Sequence, residues 1–245
     1  GHSEERLREL FAPLAARSPA RAAPPRPLDP PLPVRTRPEL LLVDKPGAAQ
    51  SELRLAHAGV PTTHPDHYPL QALNALLGGQ FSSRLNLNLR EDKGYTYGVR
   101  SAFEGGRTSG IFSVACAVEA KVTAAALREA WNEIDGLRAG VRDEEVEFVQ
   151  SSLMRALGRG LESSAARLAW LENLARHDFP PDLIERRLAW LAAMTRAELE
   201  RLVREHLHPS ELVLLVVGDR NVVADGLVEL GFGTPAGLEL VDASR

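Results

Sequence analysis

The alternation of apolar and polar positions divides the chain into a strand-rich first part and a helical second part. Residues 39–59 contain two apolar stretches, ELLLVD and QSELRLAHAG, which predict two strands on either side of a Pro-Gly turn. Residues 64–79 then space their leucines as a helix does, with Pro65 near its start and a Gly-Gly stop from Gly78. The first predicted strands therefore precede most of the predicted helices along the sequence.

The segment SSRLNLNLREDKGYTYGVRS, residues 82–101, changes its hydrophobic period halfway along. Its three leucines alternate as in a strand, whereas Ser82 or Ser83 would cap a short helix ended by Gly94. The pattern leaves both alternatives open. The following stretches, YTYGVRSAFE and SGIFSVACAV, joined through GGRTS, predict a β-hairpin whose first strand carries Tyr97.

The second half predicts five successive helices between Thr123 and Leu207. Thr123 is the expected N-cap of the first, and the last begins with the capping box Thr195/Glu198. The acids that open the second helix, including Glu145, are expected on a solvated face. The apolar run ELVLLVVGD predicts a central strand, which a last helix and an edge strand, LELVD, follow.

The N-terminal residues differ from the rest of the chain. Residues 1–17 predict a helix capped by Ser3, and residues 18–38 contain eight prolines, as expected of an extended linker. The strand, glycine, polar and helix order at the end of the chain echoes its beginning. We therefore expect residues 1–17 to be the tail of a preceding copy of the domain formed by residues 39–245, with any native localisation signal missing before Gly1.

Composition excludes several functional classes. The 245 residues carry a formal net charge of −4, which argues against a nucleic-acid-binding face. No apolar run reaches the roughly 18 residues of a membrane span. The single cysteine, Cys116, lies in an alternating strand, where a buried thiol is expected and not a nucleophile.

The seven histidines do not form a recognisable metal site. Neither H-E-x-x-H nor H-x-x-E-H occurs, so no helix face offers two ligands beside a general base. His64 and His67 flank the start of a predicted helix, where a solvated cap is favoured over metal ligation. We therefore expect neither a zinc ion nor another cofactor in this chain.

Arg90 and Tyr97 are the residues most suited to chemistry, because both could face one concavity across the Gly94 turn. A guanidinium donates several hydrogen bonds in a plane, and a phenol donates to a carbonyl or a developing oxyanion. The structural alternative is that Arg90 pairs with Glu91 or Asp92 and that Tyr97 is a half-buried strand residue.

The segment FSSRLNLNLREDKGYTYGVRS resembles the signature of the C-terminal, zinc-less half of pitrilysin-type metallopeptidases, which include insulin-degrading enzyme and the mitochondrial processing peptidase. The preceding VDKPGAAQSELRLAHAGVPTTHPDHYPLQALNALLGG and the closing LVLLVVGD are similar to that family as well. The resemblance implies an α+β fold, with an antiparallel-rich mixed sheet and helices packed on one face.

The resemblance also implies a function divided between two homologous domains. The missing half, in the same polypeptide or a separate subunit, would hold zinc and activate water. In this half Arg90 and Tyr97 match the residues that hold the peptide substrate. The chain is thus expected to be the C-terminal half of a bacterial zinc metalloendopeptidase, inactive alone, in either the cell envelope or the cytoplasm.

Two rival functions stay open at this point. The chain would serve as a structural, non-catalytic member of the same family, similar to the core subunits of a respiratory cytochrome complex. Alternatively, it would bind extended peptides along a sheet edge without cleaving them.

Overall fold

The computed structural model describes residues 3–17, 35–232 and 236–238. The chain divides into two units, Gly1–Pro30 and Pro31–Arg245. The first contains helix α1, Glu4–Arg17, whose apolar side chains Leu7, Leu10 and Phe11 are exposed. The predicted linker falls largely on residues 18–34, outside the described residues, and the assignment of α1 to a preceding domain stays a prediction.

The second unit is built on one mixed sheet of six strands in the order β3-β4-β2-β5-β1-β6. The strands are β1 Glu39–Asp44, β2 Gln50–Gly59, β3 Val99–Gly105, β4 Gly110–Glu119, β5 Val213–Gly218 and β6 Ala236–Leu238. Strands β2, β3, β4 and β5 pair antiparallel with their neighbours in that series, whereas β1 runs parallel to both β5 and β6. Strand β5 thus lies between β1 and β2, although these two are adjacent in sequence.

Seven further α-helices belong to the described part of this unit. They are α2 Pro69–Leu77, α3 Thr123–Gly136, α4 Asp143–Arg159, α5 Ser164–His177, α6 Leu183–Ala193, α7 Arg196–His206 and α8 Arg220–Val228. The Thr195 hydroxyl accepts the Glu198 N–H at 3.3 Å, so the predicted cap of α7 is confirmed. Thr123 is instead the first helical residue of α3, and its hydroxyl bonds to the Ala120 carbonyl.

Helices cover one face of the sheet and leave the other open. Residues of β2 and β4 alternate along each strand, with Leu53 and Val114 fully buried beneath the helices. Helices α2, α3 and α8 contact the strands directly. The open face carries residues such as Arg54 and Ile111. This antiparallel-rich mixed sheet with one covered face confirms the predicted α+β class.

The ambiguous segment after Gly79 is helical and not a strand. It is helical from Arg84, and residues Asn86–Asp92 form a π-helix with the wider i→i+5 hydrogen-bond spacing. Leu85 and Leu89 are fully buried, whereas Leu87 between them is 48% exposed. That burial follows a helical period, because a strand would have placed all three leucines on one face.

Glu145 corrects an expectation from the sequence, since it is buried and not solvated. Arg84 forms a two-pronged ion pair with it, with both N–O distances at 2.7 Å, and Arg142 donates to it as well. Burial acts to raise the pKa of Glu145, but the hydrogen bonds from Arg84 and Arg142 outweigh it and lower that pKa. The pair attaches the start of α4 to the helix that carries Arg90.

Candidate functional site

A cleft of about 690 Å³ lies where the C-terminal end of α2 meets β3 and β4. Both Arg90 and Tyr97 line it. The remaining wall comes from the Gly78–Phe81 turn and from strand residues that include Arg100 and Ser113. Two side chains that are seven positions apart in sequence therefore face one concave surface, as the sequence analysis expected.

Arg90 reaches this cleft from the π-helix. Its guanidinium carbon lies 4.1 Å from the ring centroid of Phe81, so the charged plane stacks on an aromatic face. The Nε atom is 3.4 Å from a Glu91 carboxylate oxygen, a long and partly exposed contact. The alternative in which Arg90 is engaged by its acidic neighbour thus holds only in part, because its stacked plane also faces the cleft.

Tyr97 is not on a strand, which corrects the prediction. It lies in an irregular segment two residues before β3 begins at Val99, and 95% of its surface is exposed. The half-buried tyrosine is instead Tyr95, which packs against the core. The Tyr97 hydroxyl forms no hydrogen bond with any of the described residues. The phenol is therefore available to a ligand.

The backbone on both sides of Tyr97 is held in place. The Tyr95 N–H donates to the Leu89 carbonyl at 2.8 Å. The Thr96 hydroxyl donates to the Ala117 carbonyl of β4 at 2.8 Å and accepts the Gly98 N–H at 3.2 Å. These bonds replace the regular ladder of a strand and explain why β3 starts late. Because the backbone is fixed, binding through the exposed phenol costs mainly the rotamer freedom of the Tyr97 side chain.

Asn86 completes this support, and the sequence analysis missed it. Its side-chain carbonyl accepts the Val99 N–H at 3.0 Å, and its amide donates to the Val99 carbonyl at 2.8 Å. Asn86 is 6% exposed and lies four positions before Arg90 on the same helix. One amide thus joins the element that carries Arg90 to the strand that follows Tyr97. The signal in the sequence that could have identified Asn86 was a polar residue among alternating leucines.

Gly78 permits close approach of α2 to β3. A Cβ atom at this position would lie 2.7 Å from the Ser101 hydroxyl and 2.8 Å from the Ser101 nitrogen. The Ser101 N–H donates to the Gly78 carbonyl at 3.2 Å, and its hydroxyl bonds to Asn74 at 2.6 Å. The glycine pair that was predicted to end the helix therefore also allows the wall of the cleft to pack closely against β3.

The outer edge of β3 is already occupied. The N–H groups of Val99 and Ser101 donate to Asn86 and Gly78, and Gln71 donates to the Phe103 carbonyl at 3.2 Å. An extended peptide that added to a sheet edge would need those same backbone groups. This geometry disfavours peptide binding along β3.

One group of ligand-type side chains in the described ranges is compact enough for a metal: His64, Asp66 and His206. Arg201 donates to both carboxylate oxygens of Asp66 at 2.8 and 3.0 Å, and His206 lies 2.7 Å from one of them. Hydrogen bonding by Arg201 lowers the pKa of Asp66 to about 2, against an opposing effect of burial.

His64, one of the two histidines of this group, acts as a helix cap. His64 Nδ1 accepts the Asp66 N–H at 3.1 Å, which places the proton of the neutral ring on Nε2. With Asp66 already paired to a guanidinium, the cluster fits an ion-paired helix start and not a metal site. His67, the other candidate, lies half-buried nearby, and burial lowers its pKa.

Cys116 is buried in β4, as predicted, and burial raises the pKa of its thiol to about 12. A thiol with that pKa is protonated near neutral pH and is a poor nucleophile. Among the described residues, no helix is both long and apolar enough to cross a membrane.

Comparison with known proteins gives consistent relatives. The family described as the Peptidase M16 inactive domain matches residues 2–153. An uncharacterized zinc protease of Mycobacterium tuberculosis is 29% identical over 175 residues, which are 71% of this chain and 40% of the relative. This chain thus spans well under two thirds of the length of that relative.

Two solved structures share the fold. A peptidase M16 inactive domain from Pseudomonas fluorescens matches 89% of this chain and 52% of its own, with a TM-score of 0.77 and 22% identity. The periplasmic protease PqqL from Escherichia coli matches 89% of this chain and 24% of its own, with a TM-score of 0.69 and 18% identity. The family match covers more than half of the chain and agrees with the fold and with the absence of a zinc motif from the sequence. The chain belongs to the Peptidase M16 inactive domain family, whose sequence relatives are named zinc proteases.

Proposed function

We propose that this chain is the substrate-positioning half of a zinc metalloendopeptidase, with Arg90 and Tyr97 as its substrate-binding and catalytic residues. The observation that carries the proposal is the shared cleft, in which a stacked guanidinium and an unpartnered phenol project from a fixed backbone. A domain that serves only as a scaffold needs neither group at such a position.

In this proposal the two side chains act on a peptide held between two domains. Tyr97 donates a hydrogen bond from its hydroxyl to the substrate carbonyl oxygen as negative charge develops there. Arg90 donates to backbone carbonyls of the peptide and fixes its register. Zinc, bound by the complementary half, would activate the attacking water. This chain supplies the phenol and keeps the guanidinium oriented.

The complementary half is the expected partner. The chain accounts for 40% of its mycobacterial relative and 52% of the Pseudomonas structure, so each leaves room for a second domain of similar size. We propose that a homologous domain with the inverted zinc motif pairs with this one, either in the same polypeptide or as a subunit. Without that half, we expect this chain to be inactive, because its sequence carries no zinc motif.

The test compares Tyr97→Phe with Tyr95→Phe in the protein assembled with its zinc-motif half. Both changes remove one phenol oxygen, but Tyr95 lies against the core and does not line the cleft. Tyr97→Phe should lower kcat for peptide hydrolysis about tenfold to a thousandfold, the loss typical of one oxyanion donor. Tyr95→Phe should change kcat by less than about threefold.

Three further outcomes would decide the assignment. Hydrolysis only in the mixture of both halves, abolished by a chelator, would support the divided site. An unchanged rate in Tyr97→Phe would remove this residue from the mechanism. Association of the halves without hydrolysis of any peptide would favour a structural role.

A further inference from the structure

A second pocket, of about 370 Å³, lies between the β2–α2 connection and the start of α6. None of its described lining residues also lines the cleft of Arg90 and Tyr97. Its walls are largely apolar and include Phe179, Leu183 and Trp190. Asp178, with a φ of 54°, ends α5 in the left-handed conformation and so turns the chain at Phe179 into this wall.

Apart from the phenol of Tyr68, the ionisable side chains that line this pocket are all basic. His64, His67, Arg186 and Arg187 line it, and none of its described lining residues is acidic. Arg186 is balanced by Asp182, with an N–O distance of 2.9 Å. Arg187 has no such partner, because no carboxylate of the described chain lies within 4.0 Å of its guanidinium. One uncompensated cation thus faces an apolar pocket.

The Arg187 guanidinium lies over two aromatic rings. Its carbon lies 4.5 Å from the centroid of Tyr68 and 5.0 Å from that of Trp170. Stacking of this kind keeps the guanidinium plane in one orientation and partly withdraws it from water. A fixed guanidinium loses little entropy on binding, so it is suited to receive a planar anion through two parallel hydrogen bonds.

Polar atoms beside this cation also lack partners. The Arg187 Nε and the Tyr68 hydroxyl oxygen are buried and make no hydrogen bond to the described residues. Burial lowers the pKa of Arg187 and raises that of Tyr68 to about 12. Water would satisfy these atoms but would not balance the charge, and partial withdrawal of a cation from water without a counter-charge is unfavourable.

We propose that this pocket is a binding site for a carboxylate attached to an apolar group, with Arg187 as the carboxylate ligand and Phe179, Leu183 and Trp190 around the apolar part. The volume falls at the lower end of small-ligand pockets and accommodates one aromatic or aliphatic residue. The chemistry is shared by the C-terminal residue of a peptide and by a free organic acid of similar size. This site is independent of the proposed peptidase role, since it uses neither Arg90 nor Tyr97.

The experiment measures binding of N-acetyl-L-phenylalanine and of its amide to the complete protein, by calorimetry and by tryptophan fluorescence. The acid should bind, and the uncharged amide should bind at least about tenfold more weakly, because it cannot pair with the guanidinium. Arg187→Gln should weaken binding of the acid about tenfold to a hundredfold. Arg176→Gln, which removes an exposed arginine of α5 that does not line the pocket, should change it by less than about threefold.

A phenylalanine-terminated peptide and its amidated form distinguish the two sources of the carboxylate, a peptide C-terminus and a free organic acid. Preference for the free peptide terminus would support a peptide ligand, and binding of the small acid alone would support a metabolite. Equal binding of acid and amide would overturn the proposal, as would no binding of either to the folded wild-type protein at millimolar concentration. Arg187→Lys, which keeps the charge but loses the planar fork, should give an intermediate affinity. Circular dichroism would verify that each variant is folded.

Discussion

The side-chain amide of Asn86 pairs with both backbone groups of Val99, which joins the helix of Arg90 to the strand that follows Tyr97. The two residues are 13 positions apart, and the pair is buried. The relative placement of Arg90 and Tyr97 therefore depends on Asn86, a buried residue in the wall of the same cleft.

Replacing Asn86 with Ala is expected to loosen the cleft. The Val99 N–H and carbonyl would lose their partners in a buried place, which costs about 2–4 kcal/mol of unfolding free energy. Chemical denaturation would measure that loss, and peptide hydrolysis by the assembled enzyme should fall with it. Asn88→Ala, which removes an amide of the same helix that bonds to Glu129 and Glu133, is the matched control. Equal effects of the two changes on hydrolysis would contradict a special role for Asn86.

Arg90→Lys tests whether the planar guanidinium matters beyond its charge. The lysine keeps the positive charge but gives up the stacking on Phe81 and the forked donor geometry. We expect kcat/KM for peptide hydrolysis to fall about tenfold, which corresponds to the loss of one charge-assisted hydrogen bond. Arg155→Lys, on the exposed side of α4, should leave the rate unchanged. A fully active Arg90→Lys enzyme would reduce the role of this residue to one of charge alone.

Gly78→Ala should destabilise the domain, because the new methyl group would lie within 3 Å of Ser101 and Leu85. The Ser101 nitrogen is backbone and cannot move aside cheaply. The expected cost is about 1–3 kcal/mol, the usual range for overpacking. Gly136→Ala, in the last turn of α3 with nothing within 4 Å of the added Cβ, should be neutral or stabilise by up to about 1 kcal/mol. Thermal unfolding of the two variants would show opposite shifts in Tm.

His57 should make folding stability depend on pH. Burial is the main cause that lowers its pKa from 6.5 to about 4, and its ring accepts the His208 N–H at 3.3 Å. The folded state thus holds His57 neutral, while the unfolded chain binds a proton below pH 6.5. Stability should therefore fall as the pH drops from about 6.5 to about 4, by a total of about 3 kcal/mol.

Urea denaturation across that pH range would measure this dependence in the wild type and in His57→Gln. The variant lacks this titrating ring, so its stability should fall less steeply over the same interval, and His67, whose pKa burial also lowers, accounts for part of the slope that remains. The contribution of Asp66, whose pKa is lowered to about 2, appears at lower pH and is lost as the pH falls from about 4 towards 2. A slope between pH 6.5 and 4 that is as steep in His57→Gln as in the wild type would assign the effect to other groups.

Local periodicity in the sequence determined much of this domain. The alternation in β2 and β4, the leucine spacing of α2 and the hairpin turn are properties of short segments, and each forms as predicted. The missing zinc motif and the choice of Arg90 and Tyr97 likewise depended on residue types and short spacings. The roles of these two residues stay predictions.

Only the tertiary structure decided the long-range arrangement. It placed β5 between β1 and β2, made residues 84–92 helical, buried Glu145 against Arg84 and left Arg187 without a counter-charge from the described residues. The physical reason is that these features depend on partners distant in sequence. The local sequence around a carboxylate near a helix start is the same whether that carboxylate contacts water or a guanidinium 61 positions away. Only the packing of the folded chain distinguishes these two cases.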